Sequence, residues 1–265
     1  MTELEQYYNK FNEEKRLNSP YGQVEFRTSM EYIHCSLRAL EEEGNTKEEI
    51  HILDIGAGTG KYSIALAEEG YSVTAIELVR YNLGILKKKG SRVDARQGNA
   101  LNLSKLPENH FHITLLFGPM YHLFTFEDKV KALTEAKRVT RPGGTIFVAY
   151  CMNEYGVITY GFKEGHIQEC MEDQRLTEDF HCISEPKDLY DYVRLEDMDA
   201  LVEAADLQRI QTISADGPAN YIRPVLNQMD EETFELFMKY HLSVCERPDL
   251  LGAGAHTVDI LRKRI

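Results

Sequence analysis

The sequence is short of positive charge, has no paired cysteines and contains no long apolar run. Lys and Arg number 30 against 43 Asp and Glu, a formal charge of −13 over 265 residues. Nucleic acids and anionic membranes reward net Lys and Arg, so the deficit argues against both as partners. Most of the excess is local: between Glu164 and Asp206 there are 14 acidic and 3 basic residues. The five cysteines (Cys35, Cys151, Cys170, Cys182, Cys245) are dispersed and form no C-x-x-C pair. That usage fits a reducing compartment, excludes a disulfide framework and offers no metal spacing. No uninterrupted stretch approaches the roughly 20 apolar residues of a membrane span. The opening MTELEQYYNK carries acids and tyrosines where a secretory leader has basic and then apolar residues. A cytoplasmic protein without a metal is expected.

What is present is an alternation of short apolar runs and amphipathic stretches. Residues 1–27 are polar and aromatic, and Met30, Ile33, Leu37 and Leu40 then recur at helical spacing over Thr28–Glu43, ended by Gly44-Asn45. The predicted strands are Ile50–Ile55, Ser72–Ile76, Arg92–Gln97, His112–Phe117 and Thr145–Tyr150. Helices are predicted through Glu69, over Tyr81–Lys89 and over Glu127–Val139, with Arg141-Pro142-Gly143-Gly144 as the turn before the fifth strand. Strands and helices alternating at this length predict crossover units and a parallel sheet buried on both faces. After Tyr150 the rhythm breaks. Leu195–Ala205 and Glu231–Cys245 read as helices, and Leu207–Ser214 and His256–Arg264 as two last strands. The chain reads as a single domain over 1–265. It divides into an N-terminal arm (1–45), a core (46–150) and two lid-like insertions (151–193 and 215–254), with the remaining segments completing the sheet. Each insertion leaves from the carboxyl end of a strand, where open α/β sheets place ligands.

The sharpest signal is Leu53-Asp54-Ile55-Gly56-Ala57-Gly58-Thr59-Gly60 between a predicted strand and helix. Glycines there permit a tight turn and close approach of a ligand to the backbone. At the end of the second strand stands Glu77, a carboxylate able to accept both hydroxyls of a ribose. A dinucleotide site requires G-x-G-x-x-G, whereas this loop is G-x-G-x-G with Asp54 facing it, which would repel a pyrophosphate. A P-loop fails too: the glycine gap is wrong and Tyr62 stands where Ser or Thr binds magnesium. A cationic, non-phosphorylated nucleoside cofactor remains.

ILDIGAGTGKYSIALAEEGYSVTAIEL resembles the first two motifs of the class I S-adenosylmethionine-dependent methyltransferases, in particular bacterial small-molecule enzymes. The likeness extends through Gly98-Asn99-Ala100, LLFGPMYHL after strand four, and Arg141–Gly144. It covers residues 50–150 well and the flanks weakly. The fold this implies is α/β: a Rossmann-like, mostly parallel seven-stranded sheet flanked by helices, with an N-terminal helical arm and lid insertions. It implies S-adenosyl-L-methionine as cofactor, held by Asp54, Gly56, Ala57, Gly58, Gly60, Glu77, Leu78, Gly98, Asn99, Ala100, Phe117 and Gly118. Asp54 would orient the loop or meet the methionine ammonium. Two positions depart from the family pattern: His112 follows Phe111 where an acid is usual, and Asn99 replaces an Asp.

No catalytic signature for the acceptor is visible, since an activated methyl needs chiefly in-line positioning and exclusion of water. Tyr121 and His122 follow strand four and are the catalytic candidates; His122 has a pKa suited to taking a proton. Tyr8, Arg27, Tyr150, Tyr221, Arg223 and His241 are the candidates for holding the acceptor, and Arg16 for closing over the cofactor. The aromatic and acidic first insertion favours an amine or other cationic acceptor as a hypothesis. The expected partner is a small-molecule methyl acceptor. The alternatives are a non-catalytic S-adenosylmethionine-binding sensor or scaffold, and an RNA or protein methyltransferase.

Overall fold

The computed structural model describes residues 13–264, with side chains from Arg16 onward. Seven strands form one sheet: β1 (His51–Ile55), β2 (Ser72–Glu77), β3 (Asp94–Gln97), β4 (Phe111–Leu116), β5 (Thr140–Cys151), β6 (Gln208–Ser214) and β7 (His256–Arg262). Their order is β3-β2-β1-β4-β5-β7-β6. The first five pair in parallel. β7 runs antiparallel between β5 and β6. The order reverses beside β1, so the crevice at the carboxyl ends of β1 and β4 is where a ligand is expected.

Helices cover both faces, as the near-continuous apolar runs of β1 and β4 require. On one face α1 (Glu13–Asn18) leads into α2 (Pro20–Glu42), which packs beside α3 (Lys61–Glu68); Ile33, Leu37 and Leu66 meet Ile52, Ile113 and Phe147 there. α4 (Arg80–Lys88) follows β2 and buries Leu83 and Leu86. On the other face α5 (Phe126–Val139) and α6 (Leu195–Ala204) bury Leu133, Ala136, Met198 and Leu201 against Leu53, Ile146 and Val148. α5 starts at Thr125, whose hydroxyl accepts the Asp128 N–H and so caps the helix. β3, the polar and mostly exposed strand, sits at an edge.

Several boundaries differ from the sequence reading. α2 begins at Pro20, eight residues before the predicted start; proline suits the first turn. Its early turns bury Val24 against Ala219, Leu226 and Met238 of the second insertion, a partner that local periodicity does not reveal. β5 begins at Thr140, so Arg141–Gly144 lies within the strand's irregular start instead of forming a separate turn. β3 begins at Asp94 and β4 at Phe111. The second insertion carries α7 (Glu231–Val244), which Asp230 caps through the Thr233 N–H. No described helix is long and apolar enough to cross a membrane.

Candidate functional site

A cleft of about 400 Å³ opens at the carboxyl ends of β1, β2 and β4. That volume falls within the range of small-molecule and cofactor sites. Its floor is the loop that joins β1 to α3. Gly56 has φ +77, and a β carbon there would lie 2.7 Å from Pro119 Cδ, so the loop closes against the turn after β4 only without a side chain. The Gly56 and Ala57 N–H groups donate to the Ile76 carbonyl at 2.8 and 3.2 Å, fixing the loop to the end of β2. Gly60 caps α3 at φ +88, and a β carbon there would run into Leu86 Cδ1. Its part is therefore to shape the loop, and it does not line the cleft.

Two buried acids face this loop. Glu77 accepts the Gly58 N–H at 2.7 Å through Oε2 and the Val79 N–H at 2.6 Å through Oε1. Burial pushes its pKa up while those N–H groups and Asn82 pull it down. Each carboxylate oxygen has a second lone pair, so capacity remains for ribose hydroxyls. Asp54 accepts the Ser63 hydroxyl on α3, and burial pushes it up to about 6 against that bond. Asp54 thus ties the end of β1 to α3 and fixes the loop between them. Across the cleft, Asn99 turns its side-chain oxygen onto the Leu101 N–H at 2.9 Å, an Asx turn that presents Gly98–Leu101 to the opening.

Asp54, Gly56, Ala57, Gly58, Glu77, Leu78, Gly98, Asn99, Ala100, Phe117 and Gly118 all line the cleft, as do Tyr121 and His122. The candidate acceptor residues do not gather there. Tyr8 lies outside the described residues. Arg27 points away and pairs with Glu235 on α7 at 2.5 Å. Tyr150 is fully buried in the layer under α5 and α6, its hydroxyl without a partner among the described residues. Tyr221 donates to the Ala253 carbonyl at 2.9 Å, and Arg223 lies over the Tyr21 ring at 4.3 Å. His241 is 1% exposed, with Nε2 3.3 Å from the Ala215 carbonyl. Arg27 and Arg223 thus tie α2 to the second insertion, Tyr221 and His241 bond within that insertion, and Tyr150 belongs to the opposite layer. His112, the departure at the start of β4, accepts the His51 N–H at 3.1 Å, and burial lowers it to about 4.

Arg16, named from the sequence, does line the cleft, but the sequence reading missed the groups it meets on the far wall. A small side chamber shares Glu25, Tyr62, Phe117 and Tyr121 with the cleft and ends on His256. The Arg16 guanidinium holds Glu25 in two hydrogen bonds, of 2.6 and 3.2 Å. His256 Nδ1 donates to Asp216 at 2.7 Å and lies 3.6 Å from Glu25. Burial opposes charge on Glu25, yet Arg16 and His256 together hold it down at about 2. Burial likewise works against charge on His256, but Glu25 and Asp216 raise it well above the ordinary imidazole value. The ligand atoms of Glu25, Asp216 and His256 lie within 4.8 Å of one another, the spacing of a cation site. Arg16 and the charged His256 already supply positive charge there, so the row balances without an ion. No short motif announces it, because its members come from residues 16, 25, 216 and 256.

The fold and cleft define a doubly wound domain with its cleft at the point where the strand order reverses. Residues 53–148 match the family model described as a methyltransferase domain. Over 110 residues the chain is 33% identical to a demethylmenaquinone methyltransferase of Renibacterium salmoninarum, a stretch covering 42% of this chain and 43% of that protein. Over 102 residues it is 28% identical to a ubiquinone biosynthesis O-methyltransferase of Pseudomonas aeruginosa, covering 37% and 43%. The matched stretch thus spans less than half of these two curated relatives. The fold is shared with a solved methyltransferase of Methanosarcina mazei at a TM-score of 0.55 and 15% identity, covering 84% of this chain and 96% of that one. Residues 53–148 are thus similar to a methyltransferase domain, and the chain has the fold of solved methyltransferases.

Proposed function

We propose that the protein transfers a methyl group from S-adenosyl-L-methionine to a small-molecule acceptor. The observation that carries this reading is the cleft itself. A glycine loop without side chains faces a buried acid at the end of β2, and the Asn99 turn closes the opposite wall. Those residues fit the cofactor. Glu77 would hold the ribose, the backbone of Gly56 and Gly58 the amino-acid end, and the Gly98–Ala100 turn with Leu78 the base. When bound, the sulfonium supplies an electrophilic methyl group and leaves as a neutral thioether.

Tyr121 lines both the cleft and the side chamber, His122 lines the cleft beside it, and the two form the acceptor end. Burial raises Tyr121 far above the ordinary phenol value, so it stays protonated and acts as a donor or a wall. The net negative charge and the names of the curated relatives, both concerned with quinone biosynthesis, support a small-molecule acceptor over a nucleic acid. Calorimetric titration with S-adenosylmethionine, S-adenosylhomocysteine and NAD tests the reading. Micromolar binding of both sulfur nucleosides with none of NAD is expected; a folded protein that binds neither refutes it.

A further inference from the structure

The chain leaves the sheet after β5 and returns along the loop that follows β4. Three consecutive residues of the returning segment make four separate attachments. The Leu189 carbonyl accepts a hydrogen bond from His122 Nδ1 at 2.8 Å. The Tyr190 ring stacks on the His122 ring, with centroids 5.5 Å apart at 29°. The Asp191 N–H donates to the Tyr121 carbonyl at 2.7 Å, and its carboxylate pairs with Lys129 on α5. Lys129 also donates to the Leu123 carbonyl, so the segment, the loop and α5 are locked together. The ion pair is buried, with side chains 6% and 12% exposed, and such a pair is costly to break.

A carbonyl oxygen only accepts, so Nδ1 of His122 carries the proton. In the neutral ring the lone pair is then on Nε2. Burial lowers the imidazole pKa, and the Leu189 bond opposes this only in part, which keeps the ring neutral at pH 7.

We propose that Leu189–Asp191 position His122 as the general base of the transfer, with the Nε2 lone pair toward the cleft, and that the acceptor is an O–H or N–H nucleophile. The proposal rests on the methyl-transfer reading above. The acceptor's proton passes to Nε2, and the electron pair of its oxygen or nitrogen forms the new bond to the methyl carbon. The pair of the broken S–C bond stays on sulfur. Leu189, Tyr190 and Asp191 act through His122 and are positioning residues.

The deciding measurement is nitrogen NMR of the full chain labelled at histidine, both ligand-free and saturated with S-adenosylhomocysteine. His122 is expected to be neutral at pH 7 with its proton on Nδ1. In Tyr190→Leu and Lys129→Met it is expected to exchange between tautomers; if Lys129→Met does not fold, Tyr190→Leu reads the same contact. A ring charged at pH 7 or protonated on Nε2 overturns the proposal. S-adenosylhomocysteine release is then followed with a panel of phenols, alcohols and amines, and with pyridine and dimethyl sulfide as nucleophiles lacking a proton. Turnover is expected in the first set, and His122→Gln is expected to lower kcat about 100-fold or more. In that variant, calorimetric S-adenosylhomocysteine affinity should move less than about threefold, because His122 acts on the acceptor's proton. Turnover confined to the proton-free nucleophiles, none in the first set, or kcat unchanged in His122→Gln overturns the base. Loss of S-adenosylhomocysteine binding in the wild type refutes the methyl-transfer reading, while the tautomer remains measurable in the ligand-free protein.

Discussion

The two halves of the cleft are made of different materials. The half over β1, β2 and β3 is largely backbone: glycines, N–H groups and two buried acids, all within residues 54–101. The half over β4, β5 and β7 is side chain, assembled from α2, the loop after β4, the returning first insertion and the ends of β6 and β7. A backbone site tolerates no β carbon and presents the same surface whatever surrounds it. A side-chain site can be rebuilt residue by residue. The difference teaches why a cofactor half stays recognisable between proteins that share little else, while an acceptor half identifies nothing by itself.

The largest effect should follow from breaking the backbone half. Gly56→Val forces a branched side chain into φ +77 and against Pro119. Left-handed strain and overpacking together should cost about 2–5 kcal/mol, read as a lower denaturation midpoint, with cofactor binding lost. Gly58 sharpens the point. Its φ is +57, but a β carbon there meets nothing within 4 Å, so Gly58→Ala should cost only about 1–2 kcal/mol. Equal losses in the two variants would mean that strain alone, and not the approach to Pro119, governs the loop.

The side-chain half should reveal itself through pH. Glu25 is held at about 2 against an ordinary 4.5, which is worth about 3 kcal/mol of stability. A depressed carboxyl stabilises fully above 4.5, and that contribution is lost as pH falls toward 2. His256 works in the opposite sense: its raised pKa stabilises fully below 6.5 and fades as pH rises through the raised value. Both contributions are complete between 4.5 and 6.5. Glu25→Gln should therefore lie furthest below wild type in that window, with the gap closing toward pH 2. Thermal midpoints measured from pH 7 to 3 check this, and a gap independent of pH would deny Glu25 its charge.

Glu77→Ala should weaken S-adenosylhomocysteine binding by about 1–3 kcal/mol, the cost of losing a charged hydrogen-bond acceptor and leaving the Gly58 and Val79 N–H groups unpaired. Calorimetry that finds the affinity unchanged would remove Glu77 from the ribose.

The same contrast explains what was legible beforehand. The order of strands and helices, the glycine loop, Glu77 and the Asn99 turn were visible because each is a local pattern whose neighbours in sequence are its neighbours in space. The failures have particular causes. Tyr150 reads as one of the aromatics of the first insertion, but it stands in β5, where side chains alternate. Ala149 faces the side chamber and Tyr150 faces the opposite layer. Arg27 lies between Glu25 and Ser29 on α2, and those two, four residues apart, share the helix face that lines the chamber. Arg27 is turned outward to Glu235. Asp216 and His256 meet because β6 ends where antiparallel β7 begins, a fact of pairing that no spacing in the sequence records.

The smallest effect belongs to the most conspicuous aromatics of the first insertion. Tyr160, Phe162 and Phe180 are 52%, 58% and 41% exposed, and none lines the cleft. Tyr160 stacks on His166 within the insertion, at 4.4 Å between centroids. If the insertion contributed an aromatic cage for a cationic acceptor, these residues would have to turn inward. If it contributes instead through the single segment that grips His122, they are surface. Phe162→Ser should then change the thermal midpoint by an amount equivalent to no more than about 0.5 kcal/mol and leave turnover and cofactor affinity as they were. A selective loss of amine turnover in Phe162→Ser, with other acceptors unaffected, would return the cage to consideration and move the acceptor half outward from the sheet edge.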